Sequence, residues 1–166
     1  MAKQIPLTRG YVAIVDDDDF DEVSQYKWHA VTKGGFPYAV RGVGKRPNRG
    51  KVSLHRVLLN APDGMEVDHR NGDTLDCRRE NLRLATHRQN AANRTLTPQS
   101  RSGFKGVYWY ARDSRWAAQI RVAGTKMFLG YFEFAEDAAR IYDDAAREHF
   151  GEFATLNFPQ DGERAA

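Results

Sequence analysis

The sequence predicts an α+β protein, and three observations carry that prediction. Near the middle, Met65-Glu66-Val67-Asp68-His69 and Leu82-Arg83-Leu84-Ala85-Thr86 read as short strands, with a long polar loop between them and a helical run after them. Toward the end, three strand-like runs are separated by short polar turns and followed by one helix. Before residue 50 the pattern is short strands and turns. The expected division is an N-terminal small β-rich segment (1–50), a strand–loop–strand–helix core (51–94), a linker (95–102), and a three-stranded antiparallel sheet plus one helix (103–159).

The elements follow in order. Tyr11-Val12-Ala13-Ile14-Val15 is an apolar strand that ends in Asp16-Asp17-Asp18-Asp19. Four acids in a row invite a metal site, but they read better as a polar turn whose last Asp caps a short helix, Phe20 to Tyr26. Trp28-His29-Ala30-Val31 and Phe36-Pro37-Tyr38-Ala39-Val40 form a hairpin through Lys33-Gly34-Gly35. Residues 41–50, rich in Gly, Arg and Lys, read as an exposed basic loop. From Val52 to Leu59 the apolar spacing is helical, with Leu54, Val57 and Leu58 on one face. Asn71-Gly72-Asp73 is a tight turn, because Asn-Gly adopts positive φ at little cost. Thr86 caps a helix from His87 to about Asn93. The three late strands are Gly106–Tyr110, Trp116–Val122 and Lys126–Phe132. The final helix runs from about Ala135 to Phe150, stopped by Gly151. Its face of Ala138, Ile141, Tyr142, Ala145 and Ala146 can lie close on a sheet.

At 166 residues the chain has room for one domain or two small ones. No apolar run approaches the roughly 20 residues of a membrane span. Residues 1–6 carry no signal-peptide stretch, so a cytoplasmic location is expected. The single cysteine, Cys77, excludes an internal disulfide and a paired-cysteine zinc knuckle. The net charge of +3 hides a polarised distribution. Between residues 88 and 126, eight Arg and Lys side chains face only Asp113; between 133 and 152, seven acids face Arg140 and Arg147. Aromatics interleave with the basic stretch, which suits a phosphate-facing surface.

The chemistry concentrates at Asp68-His69. Asp68 offers a hard oxygen to a divalent cation, and Asn90 offers a second, uncharged one. His69 can take a proton from water near neutral pH. The stretch from Leu54-His55-Arg56 through Val67-Asp68-His69, Asn71-Gly72-Asp73, Leu75-Asp76, Glu80-Asn81-Leu82-Arg83, Thr86 and Asn90 resembles HNH endonucleases of the phage and intron homing type. That resemblance implies a ββα-metal fold. It implies that Asp68 and Asn90 are the metal ligands, His69 the general base, and Asn81 the residue that ties the loop and orients His69. It also implies one divalent ion, Mg2+ before Mn2+, and products with a 5′-phosphate and a 3′-hydroxyl. The host cytoplasm is the place of action if the chain is phage-encoded. The family usually has Asn where this chain has Cys77, so the hydrogen bonding of the loop is expected to differ. His55 reads as a core or supporting histidine. His87, Arg88 and Arg94 are candidate phosphate contacts.

Residues 103–158 resemble the Apetala-two or ethylene-response-factor domain. The matching residues are Gly103-Phe104-Lys105-Gly106-Val107, Trp116–Arg121, Leu129-Gly130-Tyr131-Phe132, Glu136–Ala139, Tyr142-Asp143, Ala145-Ala146 and Leu156–Pro159. That family lays its sheet in the major groove of double-stranded DNA, where alternate side chains meet base edges. The resemblance makes Lys105, Tyr108, Tyr110, Arg115, Gln119, Arg121, Lys126 and Phe128 the candidate contacts. Plant members carry arginines at the positions of Tyr108 and Tyr110 and a tryptophan at Phe128, so their target sequence does not transfer. A metal-dependent DNA endonuclease is the expected function, acting as a monomer or a DNA-assembled dimer. A catalytically silent DNA-binding transcriptional regulator is the alternative, and an RNA-binding role is the third.

Overall fold

A computed structural model describes residues 1–45, 49–92 and 101–166. They divide into two compact units, Met1–Thr86 and His87–Ala166. The architecture is mixed α and β, with several small sheets.

In the first unit, β1 (Ala2–Pro6) pairs antiparallel with β2 (Val12–Asp16) across a 3₁₀ turn at Thr8–Gly10. The sequence hid β1, because Ile5 alone of its residues is buried. Helix α1 (Asp17–Ser24) starts earlier than expected, with extended Asp16 as its N-cap. Asp17, Asp18 and Asp19 all lie in the first turn, where carboxylates complement the helix dipole. Asp19 is therefore not the cap. Strands β3 (His29–Lys33), β4 (Phe36–Val43) and β5 (Gly50–Ser53) form an antiparallel sheet in that order. Both ends of the expected basic loop are strand: Arg41↔Val52, Gly42↔Lys51 and Val43↔Gly50 are paired. The Arg41 guanidinium lies 3.9 Å from the Tyr26 ring centroid, which covers the charge with a π face. Helix α2 is short (Leu54–Leu58), because Val52 and Ser53 complete β5. Strands β6 (Glu66–His69) and β7 (Leu82–Ala85) pair antiparallel.

One apolar cluster joins Ile5, Ala13, Val15, Val23 and Trp28 to Leu54, Leu58, Val67, Cys77 and Leu82. Residues before 50 thus share their core with the strands that carry Asp68 and His69. Each fully buried aliphatic side chain there contributes about 1.5–3 kcal/mol.

In the second unit, α3 (His87–Ala92) lies against a 3₁₀ turn at Gly151–Phe153. Strands β8 (Val107–Tyr110), β9 (Arg115–Val122) and β10 (Thr125–Phe132) form an antiparallel sheet with β9 central. Helix α4 (Ala135–Phe150) packs on all three strands. Its Ala135, Ala138, Ala139 and Ala146 are buried, so the small-residue face does bring helix and sheet together. Gly106 (φ +76) is required: a Cβ there would sit 2.0 Å from the Tyr142 ring and 2.8 Å from the Gln119 carbonyl oxygen. Asp143, 1% exposed, accepts the backbone N–H groups of Asn157 and Phe158 and the Asn157 side-chain amide. Beyond it, β11 (Thr155–Leu156) pairs parallel with β12 (Arg164–Ala165). Among the described residues no helix is long and apolar enough to cross a membrane.

Candidate active site and nucleic-acid face

Strand β6 ends in Asp68 and His69, each 5% exposed. Asp68 stands opposite Arg83 on β7, and Arg83 donates from Nε (2.8 Å) and Nη2 (2.7 Å) to Oδ2. Both side chains are buried, so the charges meet with little water to screen them. His69 packs with two other rings. Its centroid lies 5.0 Å from His55, nearly perpendicular, and 6.4 Å from Tyr38. Burial pushes His55 down to about 3, so its ring is neutral near pH 7. His55 is a buried histidine packed on the His69 ring.

The loop between β6 and β7 is tied at both levels. Asn81 is its internal knot: Oδ1 accepts the Asn71 N–H at 2.9 Å, and Nδ2 donates to the Asp76 carbonyl at 2.7 Å. Its own carbonyl accepts the Arg70 N–H. Asp76 accepts from the Asn71 side-chain amide and takes a two-point contact from Arg78, which holds its carboxyl below the usual range. The turn at Asn71-Gly72-Asp73 forms, with Gly72 at φ +79 and the Asn71 side chain accepting the Asp73 N–H.

The loop is also held from outside by residues before 50. Ile14 donates its N–H to Leu75 and accepts that of Cys77, both at 2.8 Å. Asp16 accepts the Arg79 N–H, and Asp19 takes the Arg79 guanidinium through two bonds of 2.7 and 2.8 Å. The Thr74 hydroxyl donates to the Pro37 carbonyl. The acid run, read from sequence as a turn, thus anchors the loop. Cys77 has its thiol in the apolar core at 0% exposure, and burial pushes it up to about 12. Backbone bonds from Ile14 to Leu75 and Cys77 hold the loop to β2 on this side. Among the described residues no three His, Cys, Asp or Glu side chains gather as a metal cluster.

The remaining candidates lie on the second unit. Asn90 is half-buried on α3, and His87 and Arg88 are exposed at its start. Arg94 lies outside the described residues. On the sheet, register separates two faces. Val107, Trp116, Ala118 and Ile120 pack toward α4. The other face carries Tyr108, Tyr110, Arg115, Ala117, Gln119, Arg121, Lys126 and Phe128, joined as cross-strand partners Tyr108↔Ala117, Tyr110↔Arg115, Gln119↔Phe128 and Arg121↔Lys126. Lys105 is elsewhere: it precedes β8, is half-buried, and its backbone is bonded to Asn157. Burial lowers its ammonium to about 8. Sequence reasoning missed Tyr131. A bulge between Phe128 and Gly130 shifts the alternation, so Tyr131 stands opposite Ala117, with its ring 5.1 Å from Tyr110 and 4.8 Å from Phe128. Gly130 inside a strand was the available signal. Arg83 was also missed, although pairing the two predicted strands puts it beside Asp68.

Comparisons with known proteins agree with both halves. A family model described as HNH endonuclease matches residues 60–92. "Uncharacterized HNH endonuclease L560" of Acanthamoeba polyphaga mimivirus is 31% identical over 155 residues, covering 90% of this chain and 76% of that protein. "Protein 3.8" of Escherichia phage T7 is 31% identical over 93 residues, 56% of this chain and 76% of that one. "APETALA2-like protein 2" of Oryza sativa subsp. indica is 44% identical over 62 residues, 37% of this chain and only 14% of the plant protein.

Proposed function

This chain belongs to the HNH endonuclease family, and from that premise we propose that it hydrolyses DNA phosphodiesters at the Asp68–His69 pair, guided by the sheet of its second unit. The observation that carries the reading is the buried Asp68–His69 pair at the end of β6, beside a loop knotted by Asn81.

The order β6, loop, β7, α3 supports reading residues 51–94 as a ββα-metal core, with 1–50 as an N-terminal segment, 95–102 as a linker and 103–159 as a DNA-binding module. The oxygen donors suit a hard cation, and the only thiol is buried in the core. Asp68 and Asn90 would hold one divalent ion, Mg2+ in the first place; Asn90 enters by its place in the motif. A bound ion would screen the phosphate charge and stabilise the leaving 3′-oxygen. Arg83 fixes the Asp68 carboxylate through Oδ2. His69 takes the proton of the attacking water. His55 and Tyr38 fix the ring plane of His69, and Asn81 fixes the loop that starts beside it. The products are a 5′-phosphate and a 3′-hydroxyl. The exposed sheet face docks on DNA, with its cations on phosphates and its remaining side chains on base edges. One such site per chain nicks as a monomer and cuts both strands only as a DNA-assembled dimer.

The test is supercoiled plasmid incubated with protein and Mg2+ or Mn2+, beside His69→Ala and an EDTA control. Nicking or linearisation by the parent, lost in both controls, is the expected result. An inert parent sinks the enzyme reading, and equal cutting by His69→Ala sinks the assigned base.

A further inference from the structure

The exposed sheet face has an ordered layout. Its centre is uncharged: Gln119 and the fully buried Ala117 on β9 lie between Tyr108 on β8 and Phe128 and Tyr131 on β10. Its cations sit at the two ends. Arg115 is at the β8–β9 turn, while Arg121 pairs with Lys126 at the β9–β10 turn. Arg121 is held at that end, since its Nη1 donates to the Gly124 carbonyl at 3.0 Å. Side chains at the ends of a docked sheet meet the flanking phosphates, and those at its centre meet base edges.

The chemistry of the centre is selective. A carboxamide pairs with adenine at N6 and N7, and apolar or aromatic groups contact the thymine methyl. Guanine is read chiefly by Arg or Lys, and neither is at the centre. The aromatic rings are clustered. Phe128, Tyr131 and Tyr110 pack on one another at 4.8 and 5.1 Å. Rings engaged with each other present a ridge and are not splayed to receive unstacked bases, as single-strand binding would require.

We infer that this face selects duplex DNA with A·T pairs under its centre, with Gln119 on adenine and the Phe128–Tyr131 ridge on thymine methyl groups. The inference rests on the docking proposed above and adds the class of base pair.

The test uses the full chain in EDTA, which prevents cutting, with a randomised duplex library at one fixed salt concentration. Bound duplexes are recovered and sequenced. The expected result is adjacent A·T positions, each preferred roughly tenfold over G·C. Gln119→Arg should convert one of those positions to G·C, and Phe128→Ala should flatten the thymine preference at another. Arg115→Ala should weaken all duplexes alike and leave the preferred bases unchanged. Enrichment of G·C, or of A·T at positions that neither Gln119→Arg nor Phe128→Ala alters, overturns the inference while leaving docking intact. Tighter binding of single strands than of duplexes overturns the commitment to paired DNA. Failure to bind any duplex overturns the docking itself.

Discussion

Replacing Arg83 by Met removes the guanidinium and keeps most of the side-chain volume. Asp68, 5% exposed, is then left charged without the two donors that reach its Oδ2. Breaking a buried pair from one side costs about 3–5 kcal/mol, because the remaining charge stays out of water. In a domain the size of the first unit, each kcal/mol moves the midpoint by about 4–8 °C, so the variant should melt at least about 12 °C lower. Asp68→Asn added to Arg83→Met removes the buried carboxylate charge and should recover most of that loss, in a double-mutant cycle with a coupling well above that of an exposed pair. Calorimetry with denaturant unfolding measures both. A loss under about 1 kcal/mol for Arg83→Met, the range of a solvated surface pair, refutes the reasoning. So does a double variant no more stable than the single one.

Three other predictions follow from burial. Below pH 6.5 an unfolded chain protonates its histidine, whereas His55 in the fold resists until about 3; the unfolded state binds the extra proton, so stability is whole above that window and falls as pH drops through it. His55→Phe should flatten the acid limb of urea-unfolding stability, and an unchanged slope would count against the buried neutral ring. Cys77, pushed up to about 12 in the core, should resist iodoacetamide at neutral pH in the native protein and react on unfolding; fast native labelling would place the thiol at the surface. Gly106→Ala should destabilise the second unit by more than about 3 kcal/mol in thermal unfolding, since Tyr142 and the Gln119 backbone occupy the space of the new methyl; a neutral effect would mean that α4 and the sheet do not approach as closely as described.

Local signals were the ones that could be read in advance. The Asn-Gly turn, the alternation of β8 and β9, and the small-residue face of α4 each follow from neighbours in sequence, and each forms. The Asp68-His69 motif was visible for the same reason. What stayed hidden depends on partners far apart along the chain. Asp19 and Arg79 are bonded across a long stretch of sequence, and nothing near Asp16–Asp19 distinguishes an anchor from a polar turn. β1 could not be seen because an edge strand with one buried residue leaves almost no pattern. Residues 41–50 read as loop because Gly and Arg are common there, yet at 41–43 pairing with β5 overrides composition. Tyr131 was hidden by a single extra residue in β10, which moves every later side chain to the other face.

The bonds that run from Ile14, Asp16, Asp19 and Pro37 to the loop after β6 bear on how such a chain can be recombined. A crossover near residue 50 would separate Arg79 from both of its carboxylates, and would strip Leu75 and Cys77 of their backbone partner on Ile14. The motif alone is thus a poor graft: a chimera that keeps its sequence but not β2 and α1 would inherit the letters of the site without the frame. The smallest cassette that preserves the frame reaches back to β1. By contrast, the second unit, residues 87–166, buries apolar clusters of its own under α4.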